Sequence, residues 1–172
     1  MGGREVRNGM EYGQIFDHHF VEFHYPGGAV ISSQCRHQKG CMNRVEEVFQ
    51  GTKGNLRMNN NNFSSINLYS GKTVYQHVDQ GDDNPYQVEH NLLFKAVKSG
   101  TYQFDDVIHG ANSTMTAILG RMATYSGQLL TWDQAMASDL NLVPDLNSFN
   151  DLAPVVPDSD GHYPVPVPGV TR

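Results

Sequence analysis

The chain has 172 residues, 38% of them hydrophobic, and a formal net charge of −6. That length suits one buried core, and the acidic balance argues against nucleic acid, because binding its phosphates needs a surplus of Lys and Arg gathered on one face. Cys35 and Cys41 are too few for a disulfide-built scaffold, and no run approaches the ~20 apolar residues of a membrane span. The expectation is a chain with neither nucleic acid nor membrane as partner, placed equally well in cytoplasm or periplasm.

From Ile15 to Tyr25 apolar and polar residues alternate, with Val21, Phe23 and Tyr25 on one face and Glu22 and His24 on the other. A half-buried strand has this period of two. Pro26-Gly27-Gly28 supplies turn chemistry and Ala29 to Arg36 resumes the extended pattern, so the two segments are expected to pair as a hairpin. Arg44 to Gln50, Phe63 to Tyr69 and Lys72 to Val78 are three further strand candidates, separated by Gly51-Thr52-Lys53-Gly54 and by Ser70-Gly71. The asparagines 59 to 62 read as a loop, since Asn side chains bond their own backbone in turns.

After the acidic loop Asp79 to Asp83, Asn84 is placed to cap and Pro85 to open a helix with Val88, Leu92, Ala96 and Val97 on one face, ending near Gly100. A second helix is marked by Ile108, Ala111, Met115, Ile118, Leu119, Met122 and Tyr125, with Gly127 as its stop. Thr131 and Gln134 have capping-box spacing and start a short third. From Asp139 the chain is rich in Pro, Asp and Asn and ends in Pro164-Val165-Pro166-Val167-Pro168-Gly169, which suits neither helix interior nor central strand. Strands first and helices second predict an α+β fold: an open, mainly antiparallel sheet with helices packed on one face and an extended C-terminal tail. Residues 1–138 form the domain in this reading, and 139–172 the Pro-rich tail packed on it. The bare face of the sheet requires cover from a second copy, another domain or the tail.

Candidate chemistry is sparse. His18, His19, His24 and His37 fall in the first hairpin beside Cys35 and Cys41, but the five residues between the cysteines and the lack of a second pair are unlike a zinc site, so no metal is expected. A Cys35–Cys41 disulfide across the loop is the other use of those thiols. Asp105 and His109 stand at i and i+4, which on a helix is either an acid/base dyad or a surface pair. Arg36 leads into His37-Gln38-Lys39-Gly40, a donor-rich loop suited to sugar hydroxyls or a carboxylate, or else a solvated basic turn. No glycine fingerprint, Walker loop or nucleophile elbow is present, so no cofactor site is expected in this chain.

Gly2-Gly3-Arg4-Glu5-Val6-Arg7, Ile15-Phe16-Asp17-His18-His19, Gln34-Cys35-Arg36, Gly40-Cys41 and Gly51-Thr52-Lys53-Gly54 stand in a telling order. Ser113 through Ala123, Thr131-Trp132-Asp133-Gln134-Ala135, and Tyr163-Pro164-Val165 through Pro168-Gly169-Val170-Thr171 follow them. Together these segments resemble the C-terminal domain of the glucose-fructose oxidoreductase/inositol dehydrogenase (Gfo/Idh/MocA) family, in its Bacteroidetes and Planctomycetes branch. The resemblance implies a parent that moves a hydride between NAD or NADP and a sugar or polyol. It also implies that the Rossmann domain, the catalytic lysine and the acid/base histidine and aspartate lie outside this chain, leaving no catalytic residue here. What remains would supply pocket wall and, through the open sheet face, a homo-oligomer interface. Arg36, His37 and Tyr163 are the expected substrate-lining residues. The alternative is a non-catalytic carbohydrate-binding or assembly module acting through its sheet.

Overall fold

The structure is a computed structural model that describes residues 1–59, 63–78, 81, 84–102, 104–142, 145–153 and 155–171. Asparagines 60–62 and most of the acidic loop 79–83 lie outside the described residues. The architecture is α+β with open antiparallel sheets, and the chain divides into two compact units: residues 1–39 with 106–172, and residues 40–105.

In the first unit, strands β1 (Gly2–Gly3), β2 (His18–His24) and β3 (Val30–Arg36) form an antiparallel sheet in that order. Pro26-Gly27-Gly28 makes the expected turn, with Gly27 and Gly28 at φ of 89° and 86° and the Tyr25 amide donating to the Ala29 carbonyl at 2.9 Å. Such angles are open to glycine at no steric cost. The β2–β3 register sets His18 opposite Arg36 and Phe23 opposite Ile31, so each pair shares a face.

Helix α2 (Val107–Ser126) packs on β1 and β2. Its contact face meets the odd-numbered residues of β2: the His19 ring reaches the Thr124 hydroxyl, and a Cβ built at Gly120 would lie 2.8 Å from Phe23 Cζ. Glycine at 120 is what lets the phenyl ring touch the helix backbone. A second close approach occurs at Gly2, where a Cβ would come within 3.0 Å of both Phe16 and Thr124. Phe16 and Thr124 are among the few buried side chains, at 5% and 1% exposure. The Tyr125 ring stacks on Phe16 at 4.1 Å while the Arg121 guanidinium covers its other side at 4.1 Å, and the Tyr125 hydroxyl accepts the Phe16 amide at 3.0 Å. This sandwich is the centre of the unit.

Helix α2 stops at Gly127, left-handed at φ 71°, and α3 (Trp132–Met136) opens with the capping box: the Gln134 amide donates to Thr131 Oγ1 and the Thr131 amide to Gln134 Oε1. Among the described residues the tail from Asp139 has no helix or strand. It closes on itself through Asp151, which accepts the Asn147 and Ser148 amides, and Asp158, which accepts those of Asp160 and His162. Its end is tied to α2 by the Gly169 amide on the Ser126 carbonyl at 2.6 Å.

In the second unit β4 (Glu46–Gln50), β5 (Gly54–Asn59), β6 (Phe63–Leu68) and β7 (Thr73–His77) form a four-stranded meander. Strand β5 was not expected. Its Gly and Asn content is poor for a strand, and pairing on both sides imposes the conformation. The single sheet expected from the sequence is thus two sheets. Registers align Phe49, Leu56, Ile66 and Tyr75 in one apolar row across all four strands. Phe49 is 54% exposed and Tyr75 49%. On the opposite face Glu46 pairs with Arg57 at 3.1 Å and Arg44 at 3.2 Å, and the Arg57 hydrogen bonds hold its carboxyl below the ordinary value.

Helix α1 (Pro85–Ser99) begins as expected, with Asn84 Oδ1 accepting the Tyr86 amide at 2.9 Å, and ends at left-handed Gly100. Among the described residues it packs on none of the strands of its unit, and Leu93, Phe94 and Val97 are exposed.

Candidate functional site

The most structured polar cluster is built around Asp17, in the segment that leads into β2. Its side chain is buried at 3% exposure, which would ordinarily oppose ionisation. Three consecutive amides answer that cost: those of Glu5, Val6 and Arg7 donate to Oδ2 at 2.8, 2.7 and 3.0 Å. The arrangement is an anion nest made by one loop. Oδ1 holds His18 Nδ1 at 2.8 Å. Burial pushes the carboxyl up, but the Glu5 and Val6 amides, then His18 and the Arg7 amide, prevail and hold it far below the usual carboxylate range. Because an ionised carboxylate only accepts, His18 Nδ1 carries the proton and Nε2 is directed away from Asp17.

The cluster extends to the end of β3. The His37 amide donates to the Asp17 carbonyl at 2.8 Å, and the Arg7 Nε donates to the His37 carbonyl at 3.2 Å. Arg7 also lies over the Tyr12 ring at 5.1 Å. Arg36 sits opposite His18 on the same sheet face, and among the described residues its guanidinium makes no ion pair or hydrogen bond. Arg36 and His37 therefore come together with Asp17, His18 and Arg7. Tyr163 is half-buried in the tail, and its hydroxyl makes no hydrogen bond among the described residues; nothing ties it to Arg36 or His37.

His19 belongs to the opposite face. Thr124 donates its hydroxyl to the Arg121 carbonyl at 3.0 Å, so at 3.0 Å from His19 it accepts from an Nδ1 proton. Burial first, then the positive charges of His18, Arg121 and the terminal amine, hold the imidazole below its ordinary value against the pull of Asp17.

Asp17, the centre of this arrangement, was not singled out by sequence reasoning. Its partners lie 10 to 12 residues away in a loop without periodicity, and backbone donors carry no residue signature. The Asp105/His109 pair is corrected: Asp105 precedes α2, so the i to i+4 geometry of one helix does not arise. Cys35 and Cys41 carry thiols, not a disulfide. Among the described residues no three His, Cys, Asp or Glu side chains gather into a metal set, and no helix is long and apolar enough to cross a membrane.

A cleft of about 1220 Å³ lies elsewhere in the first unit, between β2, α2 and the loop that leads into α3. Compared with known proteins, the chain matches no family model, no curated protein and no solved structure.

Proposed function

We propose that this chain is the substrate-wall and assembly portion of an NAD(P)-dependent sugar or polyol oxidoreductase. The observation that carries the reading is the free Arg36 guanidinium set opposite His18, whose ring is oriented by a buried, ionised Asp17. Hydroxyl-rich ligands are recognised by a few donors held rigidly at the end of a scaffold, and charged donors make the stronger bonds. Arg36 is carried on a strand and His18 is locked by Asp17, so neither depends on a loose loop for its position.

The segments on which the family resemblance rests support the same reading. Gly2-Gly3, Ile15 to His19 and Ser113 to Ala123 are distant in sequence, yet Gly2-Gly3 pairs with His18 and His19, and the helix that carries Ser113 to Ala123 packs on both strands. The apolar row Phe49, Leu56, Ile66 and Tyr75 is a surface of the sort that subunit contacts cover, which agrees with a homo-oligomer through an open sheet face. In this reading the dinucleotide is held by a separate Rossmann domain and carries the hydride, while this chain orients the sugar.

Titration of the chain with aldoses, polyols and NAD(H) or NADP(H), followed by amide chemical shifts, tests the proposal. A sugar should move the signals of His18, Arg36 and His37, Arg36→Ala should abolish that response, and the nucleotides should leave the spectrum unchanged. Micromolar nucleotide binding, or no response to any sugar, would refute it.

A further inference from the structure

The face of the first sheet turned away from α2 carries cations without acids of their own. The even-numbered residues of β2 share it with their β3 partners, so His18 stands opposite Arg36, Phe20 opposite Gln34 and Glu22 opposite Ser32. Arg36 is exposed, and among the described residues its guanidinium has no ion pair or hydrogen bond. The Arg7 guanidinium donates to the His37 carbonyl at 3.2 Å, stands 3.4 Å from His37 Nδ1 and has no carboxylate partner either among the described residues. Two guanidinium groups thus flank His37, in a chain whose net charge is −6.

The carboxylates of this region are committed elsewhere. Asp17 is enclosed by the amides of Glu5, Val6 and Arg7 and by His18 Nδ1, and the Glu5 carboxylate accepts the Gln38 side-chain amide at 3.4 Å. Further along the same face, Glu22 has His24 at 3.9 Å. The end of the face at Arg36 is therefore left with positive charge, a rigid imidazole and open access.

We propose that this end of the face takes the carboxylate of a sugar acid, a hexuronate in its ring form; the inference rests on the sugar-oxidoreductase reading and narrows its substrate. Arg36 supplies the planar fork that matches a carboxylate, and bonds between charged groups are the stronger kind. His18 Nε2, an acceptor while Nδ1 keeps its proton on Asp17, takes a hydroxyl. Two residues further along the strands, ~7 Å away, half-buried Phe20 and its neighbour Gln34 offer an apolar ring and an amide to the pyranose. A doubly charged phosphate ester would meet both Asp17 and Glu5, so a single negative charge is the better match.

The test titrates the full chain at low salt with glucuronate, its neutral isostere glucuronamide, glucose 6-phosphate and acetate, followed by amide chemical shifts. Glucuronate should bind about tenfold more tightly than glucuronamide and move the signals of His18, Phe20 and Arg36. Arg36→Gln should bring those two ligands within about twofold of each other, and added salt should weaken glucuronate alone. Equal binding of glucuronate and glucuronamide by the wild-type chain overturns the proposal and leaves the sugar-wall reading standing. Tighter binding of glucose 6-phosphate overturns it too, as does acetate binding as tight as glucuronate, since the site would then recognise an anion and no sugar. Silence toward every sugar overturns both readings together.

Discussion

Replacing Asp17 by asparagine keeps the shape of the side chain and removes its charge. Three amide donors converge on Oδ2 at 2.7 to 3.0 Å. A hydrogen bond to a charged group contributes about 1.5–3 kcal/mol and a neutral one about 0.5–1.5, so the exchange costs about 1 kcal/mol per amide and about 3 kcal/mol in all. The new amide also turns an NH₂ group toward either the loop amides or the His18 Nδ1 proton, adding a donor clash on one side. A loss of that size is a large fraction of a typical folding free energy. The effect has a defined pH window. The folded carboxyl lies below its ordinary value of 3.8, so its stabilisation is complete above that value and drains away as pH falls toward the folded value. Urea denaturation followed by circular dichroism should show the wild-type chain about 3 kcal/mol more stable than Asp17→Asn at neutral pH, with the gap narrowing below about pH 4. A gap under about 0.5 kcal/mol, or one that stays constant in acid, would show that the nest contributes no charge-dependent stability.

Two other perturbations report on the same unit. Gly120→Ala should destabilise by about 1–3 kcal/mol, because its Cβ would stand 2.8 Å from Phe23 Cζ; Phe23→Leu in the same chain should recover part of the loss in a double-mutant urea series. The folded His19 imidazole resists protonation, so the unfolded chain takes up the proton first and stability falls as pH drops through the ordinary histidine value. His19→Gln should flatten that part of the stability profile, and an unchanged slope between about pH 7 and 5 would count against the neutral, half-buried ring.

The elements legible in the sequence are those whose signals are local. The Pro26-Gly27-Gly28 turn, the Asn84-Pro85 start, the Gly100 and Gly127 stops and the Thr131/Gln134 box all appear where residue chemistry places them, since each involves groups at most a few positions apart. Strand β5 was invisible because Gly54, Asn55 and Asn59 resist the strand conformation until β4 and β6 flank them. Of the candidate site, Arg36 and His37 were legible as donors at a strand end. Asp17 was not, because its significance lies in amides it meets only after the loop closes.

What the sequence determined by itself was therefore the inventory and the fold class: antiparallel strands, helices with marked ends, and a tail too rich in proline to join either. Only the tertiary structure decided that the strands divide into two sheets, that Gly2 and Gly120 sit where β1, β2 and α2 approach closely, and that one carboxylate organises the loop beside Arg36. The reason is range: turn and capping energies are set by residues close in sequence, whereas register, burial and the ionisation of Asp17 depend on groups brought together by folding.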